Sequence, residues 1–136
     1  MKIVRFSQKD YVPASHENPD APGVWKKVLL RHEDVIDGRI QMINWARLPV
    51  GAAFQAHYHE DMQEVFIILN GTVRLIVNAE ACELAAGDAV VIPIGALHVM
   101  HNICDEDVCY VAIGITREGR GKTVVVDGSM SGETRR

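Results

Sequence analysis

Short runs rich in β-branched and aromatic residues, broken by turn residues, make up most of this chain, and no long stretch shows the 3.6-residue spacing of an amphipathic helix. The runs predict strands over Ile40–Leu48, Ala53–His59, Glu64–Leu69, Val73–Val77, Glu80–Leu84, Ala89–Ile92, His98–Asn102 and Val108–Thr116. Asn70-Gly71 predicts a type I′ hairpin turn, since both central residues of that turn need positive φ. Asn78-Ala79 predicts a second turn, and Ala86-Gly87-Asp88 a tight loop. Strands this short and this evenly spaced indicate an all-β fold, a closed barrel or a jelly-roll sandwich.

The ends of the chain read differently. Residues 11–24 are rich in proline and polar side chains and predict an ordered loop or arm. Lys122–Val126 has the character of a short added strand, while residues 128–136 look flexible by composition. The expected organisation is an N-terminal arm with the first strands over 1–35, a barrel over 36–116 and a C-terminal extension over 117–136.

Strand alternation carries the chemistry. His57 and His59 lie two apart, so on a strand both imidazoles point to one face. Glu64 opens the next strand, and His98 opens a later one. Three imidazoles and one carboxylate suit a divalent transition metal, and four protein ligands leave about two positions open on an octahedral ion.

Those residues stand in two longer patterns. Gly51, His57, His59, Glu64 and Gly71 match G-x5-H-x-H-x(3,4)-E-x6-G, and Gly87, Pro93, Gly95, His98 and Asn102 match G-x5-P-x-G-x2-H-x3-N. At all ten positions the chain resembles the cupin family. The resemblance implies a single cupin domain, a double-stranded β-helix or jelly-roll barrel. It also implies one metal ion (Fe, Mn, Ni or Zn) held by His57, His59, Glu64 and His98. It does not fix a reaction, because the family hosts dioxygenases, isomerases, decarboxylases and non-catalytic binders. The expectation is an enzyme of one of those classes acting on a small organic substrate. The alternative is a metal-dependent protein that binds a sugar or organic acid without turnover.

Alternation also predicts the wall around the metal. Gln55 shares the parity of His57, Phe66 and Ile68 that of Glu64, and Met100 that of His98. Gln55, Phe66, Ile68, Met100 and Tyr110 are therefore the candidate pocket residues, with Gln55 as the polar handle and Tyr110 of ambiguous parity. His101 falls out of register with His98 and faces away. His16 and His32 sit in polar surroundings and read as solvated. Glu60 and Asp61 read as a solvated loop. Arg47 and Arg74 are the strand-borne cations able to anchor a phosphate, and neither is clearly inward.

The remaining properties narrow the partners. The length of 136 residues fits one domain, and 48% hydrophobic residues suffice for a core. A formal net charge of −4 and the lack of a helix-turn-helix pattern argue against nucleic acid or an anionic membrane as partner. No apolar run reaches the roughly 18 residues that a membrane span needs. Cys82, Cys104 and Cys109 match no zinc or redox spacing and read as reduced thiols of a cytoplasmic protein. A small-molecule ligand is expected, and a homodimer that covers the open strand edges.

Overall fold

A computed structural model describes residues 2–36, 38–117 and 122–126. The described strands are β1 (Val12–Pro13), β2 (Trp25–Arg31), β3 (Ile40–Leu48), β4 (His57–His59), β5 (Met62–Ile68), β6 (Thr72–Val77), β7 (Glu80–Ala85), β8 (Ala89–Ile92), β9 (His98–Asn102), β10 (Val108–Thr116) and β11 (Thr123–Val125). Two antiparallel sheets face each other. One runs β1-β2-β3-β10-β5-β8 and the other β11-β4-β9-β6-β7. The architecture is the jelly roll expected from the strand pattern, with two sheets that do not close into one continuous barrel.

Alternation builds the space between the sheets. On β5, Met62, Glu64, Phe66 and Ile68 are buried, and on β10 so are Val108, Tyr110, Ala112 and Thr116. On β6 and β9 the inward set includes Val73, Leu75, His98, Met100 and Asn102. Leu48, Ile68, Leu75, Leu97 and Met100 lose all contact with solvent. Each such side chain contributes about 1.5–3 kcal/mol of burial.

The connections differ from the sequence reading in one respect. Asn70-Gly71 does not close a hairpin, because β5 and β6 lie in different sheets. Gly71 has φ 73°, but Asn70 is not at positive φ, so the turn is not type I′. Burial decides this: a hairpin would place β6 beside β5, whereas crossing lets Val73 and Leu75 pair with Asn102 and Met100 of β9. The tight β-hairpin is the next one, β6–β7, with Asn78 at φ 55°.

The N-terminal segment wraps an edge of the six-stranded sheet. Phe6 and Tyr11 cover its outer face, where the Lys27 ammonium sits 3.6 Å from the centre of the Phe6 ring and Arg47 lies over Tyr11. Past the edge strand β1, residues 14–24 pass to the inner side. Strand β2, within the region 1–35, pairs with β3 from Trp25↔Arg47 to Arg31↔Met42. Among the described residues, no helix is long and apolar enough to cross a membrane. Residues 128–136, expected to be flexible, lie outside the described residues.

Candidate metal centre and adjoining cavity

His57 and His98 are direct cross-strand partners on β4 and β9. His59 faces Thr123 of β11 in the same way. Glu64 reaches them from β5 of the opposite sheet, beside Gly114 and Ile92. All four residues are buried, and their potential ligand atoms lie within 4.8 Å of one another.

The orientation of each ring is fixed from behind. His57 Nδ1 is 2.7 Å from the Gln55 carbonyl, and His98 Nδ1 is 2.9 Å from the Ala96 carbonyl. A carbonyl only accepts, so both Nδ1 atoms carry the proton and donate it. Each Nε2 is then left with its lone pair. His59 Nδ1 is 2.9 Å from Thr123 Oγ1. On the inner side, Glu64 Oε1 lies 2.9 Å from His59 Nε2 and 3.4 Å from His98 Nε2. At 3.4 Å from that carboxylate, buried His98 Nε2 makes no hydrogen bond to any of the described residues. A buried lone pair without a partner is costly, and a metal ion is the partner that this donor set suits.

Electrostatics agree with that reading. Burial alone would raise the pKa of the Glu64 carboxyl, but the facing His59 and His98 rings together outweigh it and hold the group ionised. Burial, reinforced by neighbouring His16 and His98, pushes His57 well below the ordinary histidine range, so it is neutral. Neutral imidazoles and an ionised carboxylate are the forms that ligate. Ligand atoms at about 2.0–2.2 Å from one ion lie at most about 4.4 Å apart, so the quartet fits a single ion with a small contraction.

Beside the quartet opens a cavity of about 220 Å³. Phe54, Val24, Met42, Met62, Phe66 and Ala112 give it apolar walls, and Tyr110 and Asn44 add polar groups. Of the five pocket residues expected from the sequence, Phe66 and Tyr110 line it. Ile68 and Met100 are fully buried in the core and do not. Gln55 does not line it either. Strand β4 begins only at His57, so the alternation does not extend back to residue 55, and Phe54 takes the inward place. The Gln55 backbone serves the site instead, through its carbonyl on His57.

Residues 15–17 are the part that the sequence reading missed. Ser15 Oγ accepts a 2.8 Å hydrogen bond from Lys26 Nζ. His16, expected to be solvated, stacks on His57 with ring centres 3.9 Å apart, and burial pushes its pKa down to about 4. The buried Glu17 carboxylate accepts from the Gly23 amide at 2.5 Å and from the Gln55 amide at 2.7 Å. Three consecutive residues therefore tie the arm to the cavity wall, to a histidine of the quartet and to the segment before β4. The polar composition that suggested solvent exposure is used in these internal bonds.

Other residues have simple placements. His101 is exposed, and Asn102 braces its turn by donating to the Leu48 and Glu106 carbonyls. Arg47 faces outward toward Tyr11 and Asp107, and Arg74 is exposed. Asp61 accepts from the Lys122 amide, and Glu60 pairs with the Lys122 ammonium, so this loop holds β11 in place.

A buried His3Glu cluster at one end of a small jelly roll, beside a cavity, is compatible with a single divalent ion. The chain belongs to the cupin family: the cupin domain model matches residues 44–114, just over half of its length. An uncharacterized protein of Methanocaldococcus jannaschii is 31% identical over 74 residues, which cover 54% of this chain and 59% of that protein. A predicted oxalate decarboxylase of Thermotoga maritima superposes with TM-score 0.74 at 25% identity, covering 85% of this chain and 99% of that one. The polyketide cyclase RemF of Streptomyces resistomycificus superposes with TM-score 0.73 at 20% identity, over 95% of this chain and 87% of its own. This second likeness is one of fold.

Proposed function

We propose that this chain is a metal-dependent enzyme acting on a small organic molecule, with one divalent transition ion held by His57, His59, Glu64 and His98. The observation that carries the reading is the donor set itself. Two histidines are fixed by backbone carbonyls so that Nε2 points inward, and the buried Nε2 of His98, 3.4 Å from Glu64 Oε1, makes no hydrogen bond to the described residues. The ion, when bound, supplies Lewis acidity or a route for electrons. The chain's own groups do the rest. Phe54, Phe66 and Met62 exclude water, and Thr123 and the Ala96 and Gln55 carbonyls hold the imidazoles in register.

Two neutral groups beside the quartet favour turnover over simple binding. Burial, with the nearby carboxylates of Glu64 and Glu17, raises the Tyr110 hydroxyl well above its usual pKa, so it stays a donor. His16 is neutral near pH 7, and its Nε2 lies 3.3 Å from the Glu17 carboxylate. Tyr110 is thus a proton donor at the cavity, and His16 a neutral ring in its wall. Decarboxylase, isomerase and dioxygenase chemistry all fit this set, and the likeness to a predicted oxalate decarboxylase supports the first.

Elemental analysis of the purified protein should find one divalent ion per chain, and His98→Ala should lose most of it. Unchanged metal content in that variant would remove the assignment. Oxygen uptake and product formation by the loaded protein then decide catalysis. Metal binding with neither would leave a non-catalytic binder.

A further inference from the structure

We propose, resting on the metal-dependent reading above, that Lys26 forms an anion subsite of the cavity and that the substrate is a compact carboxylate whose charged end Lys26 receives. Lys26 pairs with Ala46 across β2 and β3, and Ala46 pairs in turn with Tyr110. Its side chain therefore leaves the sheet on the face that carries the cavity, and it lines that cavity together with Ala46 and Tyr110. A half-buried lysine ordinarily carries its ammonium out to water. This one lines the cavity and bonds to Ser15, which lines it too.

The ammonium has three donors. One goes to Ser15 Oγ at 2.8 Å. Among the described residues, no carboxylate lies within ion-pair distance of Lys26, although Lys2, Arg47 and Lys122 each have one. Burial lowers its pKa, the mark of an ammonium that has shed part of its water. An anion entering the cavity would restore that lost solvation with charge-assisted hydrogen bonds.

A second polar group points the same way. Asn44 is 7% exposed, lines the cavity, and its Oδ1 has no hydrogen-bond partner among the described residues. Its Oδ1 is placed to accept from a hydroxyl on the same ligand. The volume of about 220 Å³ holds on the order of seven waters, which suits a small acid. The facing apolar walls of Phe54, Phe66 and Val24 suit its carbon skeleton.

The test titrates zinc-loaded protein with 2-hydroxypropanoate and with its neutral amide, by calorimetry. A bound divalent ion also attracts carboxylates, so the deciding quantity is the change on removing Lys26. Lys26→Met and Lys26→Gln should each weaken the carboxylate tenfold or more and the amide less than twofold, with metal content unchanged and Lys26→Arg largely restoring binding. In ¹H–¹⁵N spectra of the wild type, the carboxylate should shift Ser15 and Lys26, and the amide should not. Equal carboxylate affinity in the two neutral variants, or no shift at those residues at saturation, would overturn the proposal. A protein that holds no metal would instead remove the proposed function. The same titration of the metal-free chain would still decide the subsite, because the carboxylate should then bind only where Lys26 is present.

Discussion

His16 is held against His57 in a form that must be neutral, and that has a consequence for stability. In the unfolded chain a histidine takes up its proton near pH 6.5, whereas folded His16 waits until about 4. His57 is depressed by the same cause, burial. As pH falls through this interval the unfolded state binds protons that the folded state refuses, so folding weakens. The contribution is fully present above about 6.5 and is lost toward 4. For His16 alone the difference corresponds to on the order of 3 kcal/mol. Glu64 acts lower, since its folded pKa lies below the ordinary carboxylate range, so its contribution disappears only in strong acid. Denaturant unfolding of the metal-free protein should show falling stability from pH 7 to 4.5. His16→Phe, which keeps a stacked ring without a titrating nitrogen, should flatten that slope. An identical slope in the variant would show that His16 is not seated as described.

At the scale of elements, the strands that alternate cleanly were legible in the sequence. Ile40–Leu48, Ala89–Ile92, His98–Asn102 and Val108–Thr116 begin and end where expected. First strands were expected within 1–35, but the bounds of β2, Trp25–Arg31, could not be read, because Trp25-Lys26-Lys27 breaks the apolar alternation. Lys26 and Lys27 point to opposite faces and each finds an internal partner, Ser15 and the Phe6 carbonyl. The four residues of the quartet could be read from motif spacing, but the loop that seats His16 could not, because its bonds are long-range. That loop depends on Gly23, where an added Cβ would overlap the Ala53 carbonyl. Backbone cannot yield as a flexible side chain does, so Gly23→Ala should cost about 1–3 kcal/mol and speed proteolysis within residues 14–24. Unchanged melting and proteolysis would mean that the loop is not tightly seated. Strand β11 supports the site from the other end. Thr123→Val removes the oxygen facing His59 Nδ1, and loss of such a partner typically weakens metal affinity 10–100-fold. Competition with a chelator would measure it, and wild-type affinity would show that β11 only covers the site.

Across the whole molecule the quartet spans the interior. His57, His59 and His98 belong to the five-stranded sheet, and Glu64 to the six-stranded one. An ion bound by all four therefore joins the two sheets at the end of the core that holds the cavity. Small residues at Ala46 and Ala112 leave the inner face of the six-stranded sheet thinly packed there. Far from the cavity, Leu48, Val73, Leu75 and Val108 already hold the sheets together by burial. The metal should thus add stability where packing is weakest. Free ion at a thousand times its dissociation constant adds about 4 kcal/mol, which for a domain of this size raises Tm by about 10–20 °C. Chelation should reverse the shift. Glu64→Ala separates the tie between sheets from metal binding as such, because its three histidines still share one sheet. At matched metal occupancy its Tm should rise much less than that of the wild type. An equal rise would show that the ion stiffens the histidine sheet alone and that Glu64 contributes affinity without joining the two layers.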